Sequence, residues 1–373
     1  MTCQIDMRAS LVVAVSPGFP AAIDAFAEHA NSRHSFLRAA WFGPAAPGAR
    51  TLTVERADGS PLLAIPTAPF GLPVLGVRTV PGSYWPFRSP LVASDAAPEE
   101  LAQALSHPTT RDALSPLWRV GPVHADDPGT RALRAAALGA GWRVLAVPVG
   151  RTFVLGLDGG PARNRRLDAY ARRLAERGPV RFEIVSGPDW SDATLDALAT
   201  VERASWVGTS TDGRGAKFLS DDQRAYWRHV LRDPVLARCL AATVLRVGER
   251  PVAFSFDLID GATQYAVACG YDPAFAEFRP GHLVTRRQLA HAAEAGVRRV
   301  DLGAGDSGYK RTMGAEPGSE IVDLLFVRSR PAAALLSLRW GGASGTAASL
   351  RRWREPLVAT GALAAAGALL LAE

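Results

Sequence analysis

The arrangement of apolar and polar positions divides the chain into segments of two periods. From His282 to Ala295 the apolar residues Leu283, Val284, Leu289, Ala292 and Ala293 recur at helical spacing, and Gly296 stands where a helix ends. Residues 163–177, RNRRLDAYARRLAER, predict a second helix with Leu167, Ala171 and Leu174 as its buried stripe and a strongly basic outer face. Further helices are predicted over 192–206 and over 221–232, the latter capped by Ser220. In the first half, 20–30, 34–41, 98–106 and 128–140 read as helical. Strand-like runs occupy 142–149, 181–185, 238–247, 251–259, 262–271, 299–302 and 321–327, with Asp260-Gly261 turning one pair. Residues 51–66 form a hairpin turned at Asp58-Gly59, and 207–217 a loop.

The hairpin has an echo. Thr53–Ala64 and Thr243–Ala253 both run strand, Gly-containing turn, Pro, strand, as two copies of one fold would. A chain of 373 residues has room for two domains. The formal charge of +6 is mostly arginine, suited to phosphate-bearing ligands and equally the product of a general arginine bias. Three scattered cysteines and seven histidines without helical pairing give neither a disulfide framework nor a metal-ligand spacing, so no metal is expected and a reducing cytoplasm is the natural compartment. The run Leu11–Val15 is too short for a signal peptide. Residues 331–373 form a basic and apolar tail; Leu357–Ala372 spans 16 residues, fewer than a membrane crossing needs, and suits weak association with a membrane surface.

The chemistry concentrates in residues 265–317. Strand, Pro280-Gly281, helix, strand is an order that can hold a pyrophosphate. A helix N-terminus offers free N–H groups, glycine permits close approach, and Arg279 stands two residues before it. Pro-Gly before a helix is also ordinary turn chemistry. Gly303-Ala304-Gly305-Asp306-Ser307-Gly308 matches a dinucleotide fingerprint literally, but no amphipathic helix starts inside it, which excludes that reading. Nearer the N-terminus, Tyr84, Trp85 and Phe87 make an aromatic cluster, either an acceptor groove or a patch buried under a loop.

The run RPGHLVTRRQLAHAAEAGVRRVDLGAGDSGYKRTMGAEP resembles the GNAT acyltransferase superfamily, in its branch related to CelD-type cellulose-biosynthesis proteins and more distantly to the FemAB peptidyltransferases. The resemblance covers residues 150–328 well and 30–95 loosely. It implies an α/β (α+β) acyl-coenzyme A N-acyltransferase fold in two tandem domains with mixed central sheets. Residues 1–150 would be a degenerate copy without coenzyme, 151–330 the acetyltransferase domain and 331–373 the tail. The donor implied is acetyl-coenzyme A or another acyl-coenzyme A. Arg279, Pro280, Gly281, His282 and Leu283 would hold its pyrophosphate, and backbone around Val267 and Cys269 its pantetheine arm. Lys310 at the Tyr-Lys step would stabilise the oxyanion or an acceptor phosphate, and Tyr309 would protonate the leaving thiolate. Asp301 is a candidate base or a loop cap; Glu202, Asp257, Asp272 and Asp306 are further candidate bases. The acceptor implied is an amine on a small molecule, sugar or cell-envelope precursor, with no nucleic acid. The alternatives are an aminoacyl-tRNA-dependent peptidyltransferase and a non-catalytic partner in exopolysaccharide assembly.

Overall fold

The computed structural model describes residues 11–30, 34–44, 46–71, 76–84, 86–157, 164–211, 213, 215–305 and 308–340. They divide into two units: the described residues up to Arg151 with those from Ser319 on, and Thr152–Gly318.

The first unit opens with β1 (Val12–Pro17), α1 (Ile23–His29), β2 (Arg50–Glu55), β3 (Pro61–Pro69), β4 (Arg78–Thr79) and β5 (Leu91–Val92). It continues with α2 (Pro98–Ser106), α3 (Pro108–Leu114), β6 (Leu117–His124) and α4 (Pro128–Gly139), and β7 (Arg143–Gly156) carries the chain into the second unit. The predicted hairpin is β2–β3. At its turn Gly59 takes a φ of +82° and Asp58 accepts from the Ser60 N–H at 2.9 Å. Helix α4 starts with proline at its first position and with Asp127 accepting from the Thr130 N–H at 2.8 Å. Tyr84 and Phe87 are buried, with Phe87 edge-on to Phe36, so this part of the aromatic cluster is core rather than groove; Trp85 lies outside the described residues.

The second unit contains α5 (Arg165–Ala175), β8 (Val180–Ser186), α6 (Asp192–Ala204), α7 (Trp206–Ser210), α8 (Asp221–Val230) and α9 (Pro234–Cys239). Then come β9 (Leu240–Val247), β10 (Arg250–Asp260), β11 (Thr263–Tyr271), α10 (Pro280–Glu294), β12 (Arg299–Ala304) and the single turn α11 (Tyr309–Thr312). Its strands lie in the order β8-β9-β10-β11-β12-β7, with β11 and β12 parallel and every other pair antiparallel. One face carries α10 and α5, whose Leu283, Val284 and Leu174 pack with Leu245, Val252 and Ala253. On the other, Phe218 and Trp227 stack edge-on to Phe256. Two stretches expected to be loop are helical: 207–210, within α7, which Ser205 starts by accepting from the Val207 N–H, and Tyr309–Thr312.

The chain then returns to the first unit through β13 (Glu316–Val327) and α12 (Arg330–Trp340). Residues 321–327, expected to close the second domain, instead pair with β6, from Ile321↔His124 to Val327↔Leu117. The first unit thereby has the order β1-β2-β3-β4-β6-β13, with β4 and β6 parallel and the other neighbours antiparallel. The sequence of pairings is the same as in the second unit, and one fold occurs twice. The tail beyond residue 340 lies outside the described residues, and among those described no helix is long and apolar enough to cross a membrane.

A buried ion pair fixes β13 on β6. Arg119 Nε and Nη2 donate to both Asp323 oxygens at 2.7–3.0 Å, with the carboxylate fully out of solvent. Burial raises the Asp323 pKa and Arg119 opposes that rise. Asp323→Ala strands a buried guanidinium, and chemical denaturation is expected to show a loss of about 3 kcal/mol. A loss below about 1 kcal/mol would mean that water reaches Arg119.

Candidate active site

The parallel strands of the second unit separate after three residue pairs. β11 and β12 meet at Thr263↔Arg299, Gln264↔Val300 and Tyr265↔Asp301, and no further. The other edge of β11 stays paired with β10 out to Tyr271. Residues 266–271 therefore face the β12 side with no described strand beside them. Backbone N–H and C=O groups require partners, so a half-open edge is a slot for an extended, amide-bearing ligand.

Helix α10 begins at the end of this slot. Asp272 accepts from the Ala274 N–H at 2.9 Å and starts a 3-10 turn over Pro273–Phe278. Arg279 then takes a φ of +53°, rare for a side-chain-bearing residue, and turns the chain into α10 with Pro280 at its first position. Gly281 packs closely: a Cβ there would lie 3.3 Å from the Tyr271 ring, a tight contact that the half-exposed ring would have to yield to. The N–H groups of His282 and Leu283 donate to the Arg279 carbonyl at 3.0 and 3.2 Å. Of the three N–H groups expected to face an anion, only that of Gly281 has no acceptor among the described residues. Burial and the neighbouring Arg279 lower the His282 pKa, so the imidazole adds no charge at neutral pH. Positive charge comes instead from α5, held against this region by Arg173–Glu277 at 3.0 Å and Asp168–Arg286 at 2.7 Å. Arg165, Arg166 and Arg172 on that helix are exposed.

Between β11 and β12 lies a cluster of ionisable groups. Lys310, at the start of α11, is only 5% exposed. Its Nζ donates to the Gly303 and Ala304 carbonyls at 2.8 and 3.0 Å and lies 5.6 Å from the centre of the Phe153 ring. It is not a solvated loop lysine. Asp301 accepts from the Gly303 N–H at 2.8 Å, closing an Asx-type bond that shapes the same loop. Its pKa is raised by burial, against the pull of that N–H, Thr152 and Lys310. Cys269 reaches solvent, yet its thiol pKa is raised by desolvation and by Asp257 and lowered by Lys310. Tyr309 is 39% exposed, and desolvation, with Cys269 adding, raises its phenol pKa.

Asp257 is the most perturbed carboxyl of the cluster. It follows a bulge in β10 at Phe256/Asp257 and is 2% exposed. Burial pushes its pKa up to about 7, against hydrogen bonds from Ser255 and Gln264. The Ser255 hydroxyl donates to it at 2.7 Å, and Ser255 is the residue opposite Cys269 across the strands. The other candidate bases are engaged elsewhere. Glu202 accepts from the Lys217 and Phe218 N–H groups at 2.9 and 2.7 Å, and Asp272 pairs with Arg250 at 2.6 Å; Asp306 lies outside the described residues. Val267, Cys269, Asp257, Asp301, Tyr309 and Lys310 thus gather around the strand gap, with Arg279–Leu283 at its helical end. Sequence reasoning missed Ser255 and Phe153, because no local pattern distinguishes a strand residue that backs a cluster from one that fills a core. Among the described residues no group of His, Cys, Asp or Glu could hold a metal ion.

Residues 162–311 match the family model described as an acetyltransferase (GNAT) domain. The fold is that of the GNAT acyltransferases. No curated protein sequence matches the chain. Among solved structures, the C-terminal domain attributed to a lysylphosphatidylglycerol synthetase of Agrobacterium fabrum superposes with a TM-score of 0.51 at 14% identity, over 87% of this chain and 97% of that one. FemX gives 0.50 at 14% identity, over 77% and 90%. At such identity the likeness is one of fold. The splayed strands and the helix start described above lie within the residues that match this model.

Proposed function

We propose that the protein is an N-acyltransferase drawing on acyl-coenzyme A, acetyl-coenzyme A being the simplest donor. The observation that supports this best is the half-open edge of β11 leading to the start of α10. An extended pantetheine arm fits residues 266–271, with backbone from Val267 and Cys269 as partners. The Gly281 N–H, Arg279 and the α5 arginines suit the phosphates, Pro280 fixes the turn, and His282 and Leu283 complete the helix start.

The coenzyme supplies an activated thioester. In the transfer, the acceptor nitrogen forms a bond to the acyl carbon, the carbon–sulfur bond breaks, and one proton must move from the amine to the thiolate. Asp257, ionised near neutrality, takes the amine proton. Lys310, a charge fixed by two carbonyls, stabilises the oxygen that becomes negative. Tyr309 keeps its proton at neutral pH. Full transfer from a phenol of raised pKa to a thiolate whose acid has an ordinary pKa of about 8.5 is uphill, so Tyr309 donates a hydrogen bond and the thiolate regains its proton by way of Asp257. Asp301 holds the Gly303 loop that positions Lys310.

The first unit is proposed to bind no coenzyme. Its crossover from β4 to β6 contains α2, which starts with Glu99 and Glu100, charges that repel phosphate where α10 has Gly281 and His282. The acceptor proposed is an amine on a small molecule, sugar or envelope precursor in the cytoplasm, a direction given by the CelD-type motif run from Arg279 to Lys310.

Calorimetric titration with coenzyme A tests the reading. Gly281→Asp places a carboxylate at the helix start and is expected to weaken binding about tenfold. Gly281→Ala controls for the Tyr271 contact and should weaken it less. Unchanged affinity in a folded Gly281→Asp variant excludes this site for the phosphates.

A further inference from the structure

The first unit carries a concavity of about 1130 Å³ formed by α4, the start of β7 and α12. Four arginines line it: Arg131 and Arg134 of α4, Arg143 of β7 and Arg330 of α12. Among the described residues no acidic one does. None of the four has a carboxylate partner among the described residues. The rest of the lining is mainly apolar, with Ala135, Val144, Leu145 and Ala334. Leu138, also in the lining, is 63% exposed, and Leu338, one residue past the lining Ser337, is 77% exposed.

Two physical facts constrain what this groove takes. Four like charges around one hollow repel each other, and an anionic partner relieves that repulsion. Large apolar side chains left in water favour an apolar partner. Nucleic acid satisfies the first requirement only: it is held by basic grooves with aromatic platforms, and exposed leucines gain nothing from a phosphate backbone. An anionic membrane satisfies both, because headgroup phosphates and the edge of the acyl layer lie within a few ångströms of each other. The covalent continuation of α12 has the same chemistry: Arg351, Arg352 and Arg354 precede the apolar run Leu357–Ala372.

We propose that the groove between α4 and α12 is a docking surface for a membrane containing anionic phospholipid, with headgroup phosphates at Arg131, Arg134, Arg143 and Arg330 and Leu138 entering the apolar boundary. It makes the protein peripheral, delivering the second unit to acceptors near a bilayer.

The experiment is co-sedimentation of the full chain with vesicles of phosphatidylglycerol and phosphatidylethanolamine, against vesicles of phosphatidylcholine alone. The parent is expected to sediment with the first and not the second. Arg131→Ala/Arg134→Ala/Arg330→Ala, with the tail retained, is expected to bind the anionic vesicles about a hundredfold more weakly, and Leu138→Asp to weaken binding as well. Circular dichroism melting confirms that each variant is folded. The proposal is overturned if the triple variant binds as the parent does, since the tail alone then accounts for attachment. It is also overturned if phosphatidylcholine is bound equally, or if a short single-stranded RNA displaces the parent from vesicles while Leu138→Asp has no effect. None of these readouts involves acyl transfer, so they stand or fall independently of the proposed reaction.

Discussion

Lys310→Ala is expected to lower turnover by about 10²–10³ while coenzyme A affinity changes little. The lysine sits in the strand gap, beside Cys269 and Tyr309, whereas the proposed phosphate contacts lie at Arg279–Leu283. A charge acting on the transition state alters the rate step more than ground-state binding. Burial sharpens the expectation. The Lys310 ammonium is held by the Gly303 and Ala304 carbonyls and by the Phe153 ring, so its position is fixed before substrate arrives. Lys310→Arg should recover little, because a planar guanidinium does not fit a site shaped for a compact ammonium. Removing the lysine also leaves two carbonyls without their donor, and the loop can shift. Lys310→Gln, which keeps an N–H donor for the carbonyls without the charge, separates the two effects: a loss equal to that of alanine marks the charge as the cause. The measurements are steady-state kinetics with a defined amine and calorimetry with coenzyme A. Turnover within about twofold of the parent would assign Lys310 to loop packing alone.

Much of the fold was legible because its signals are local. Helical spacing from Leu283 to Ala293 and the turns at Asp260-Gly261 and Asp58-Gly59 need only a few adjacent residues to be read, and they became α10, β10–β11 and β2–β3. The position of β13 was not legible. Apart from Asp323, Ile321–Val327 is apolar on both faces and says nothing about which sheet it joins; the pairing with β6 depends on contacts about 200 residues apart, including Arg119–Asp323. At the candidate site, Gly281 and Lys310 stood out through motif and spacing. The state of Lys310 did not: a lysine in a glycine loop reads as exposed until the fold brings Phe153 and two carbonyls around it. Asp257 was one carboxylate among five in sequence. The bulge, the Ser255 hydroxyl and the surrounding burial set it apart, and all three are tertiary facts.

Asp257→Asn is expected to remove the acid limb of the rate profile and, separately, to flatten a stability profile, and the two together decide its role. If Asp257 takes the amine proton it must be ionised to act, so kcat/KM in the parent rises with pH through about 7, where its carboxyl titrates, and then levels. In the asparagine variant that limb is lost and the rate is lower by about 10²–10⁴. The stability effect has the opposite direction. In the unfolded chain the carboxyl titrates near its ordinary value of about 3.9, below its value in the fold. Between those two pH values the folded state retains a proton that the unfolded state has released. Stability contributed by the neutral, buried carboxyl is therefore full below about pH 4 and is lost as pH rises to about 7, by at most about 1.4 kcal/mol per pH unit. Asparagine is uncharged throughout, so its stability lacks this decline. A residue that only fills the sheet would lose the decline and leave the kinetic limb in place. Loss of both assigns the base to Asp257; retention of the limb in a folded Asp257→Asn variant sends the proton elsewhere, with Asp301, the other carboxyl of the gap, the next to test.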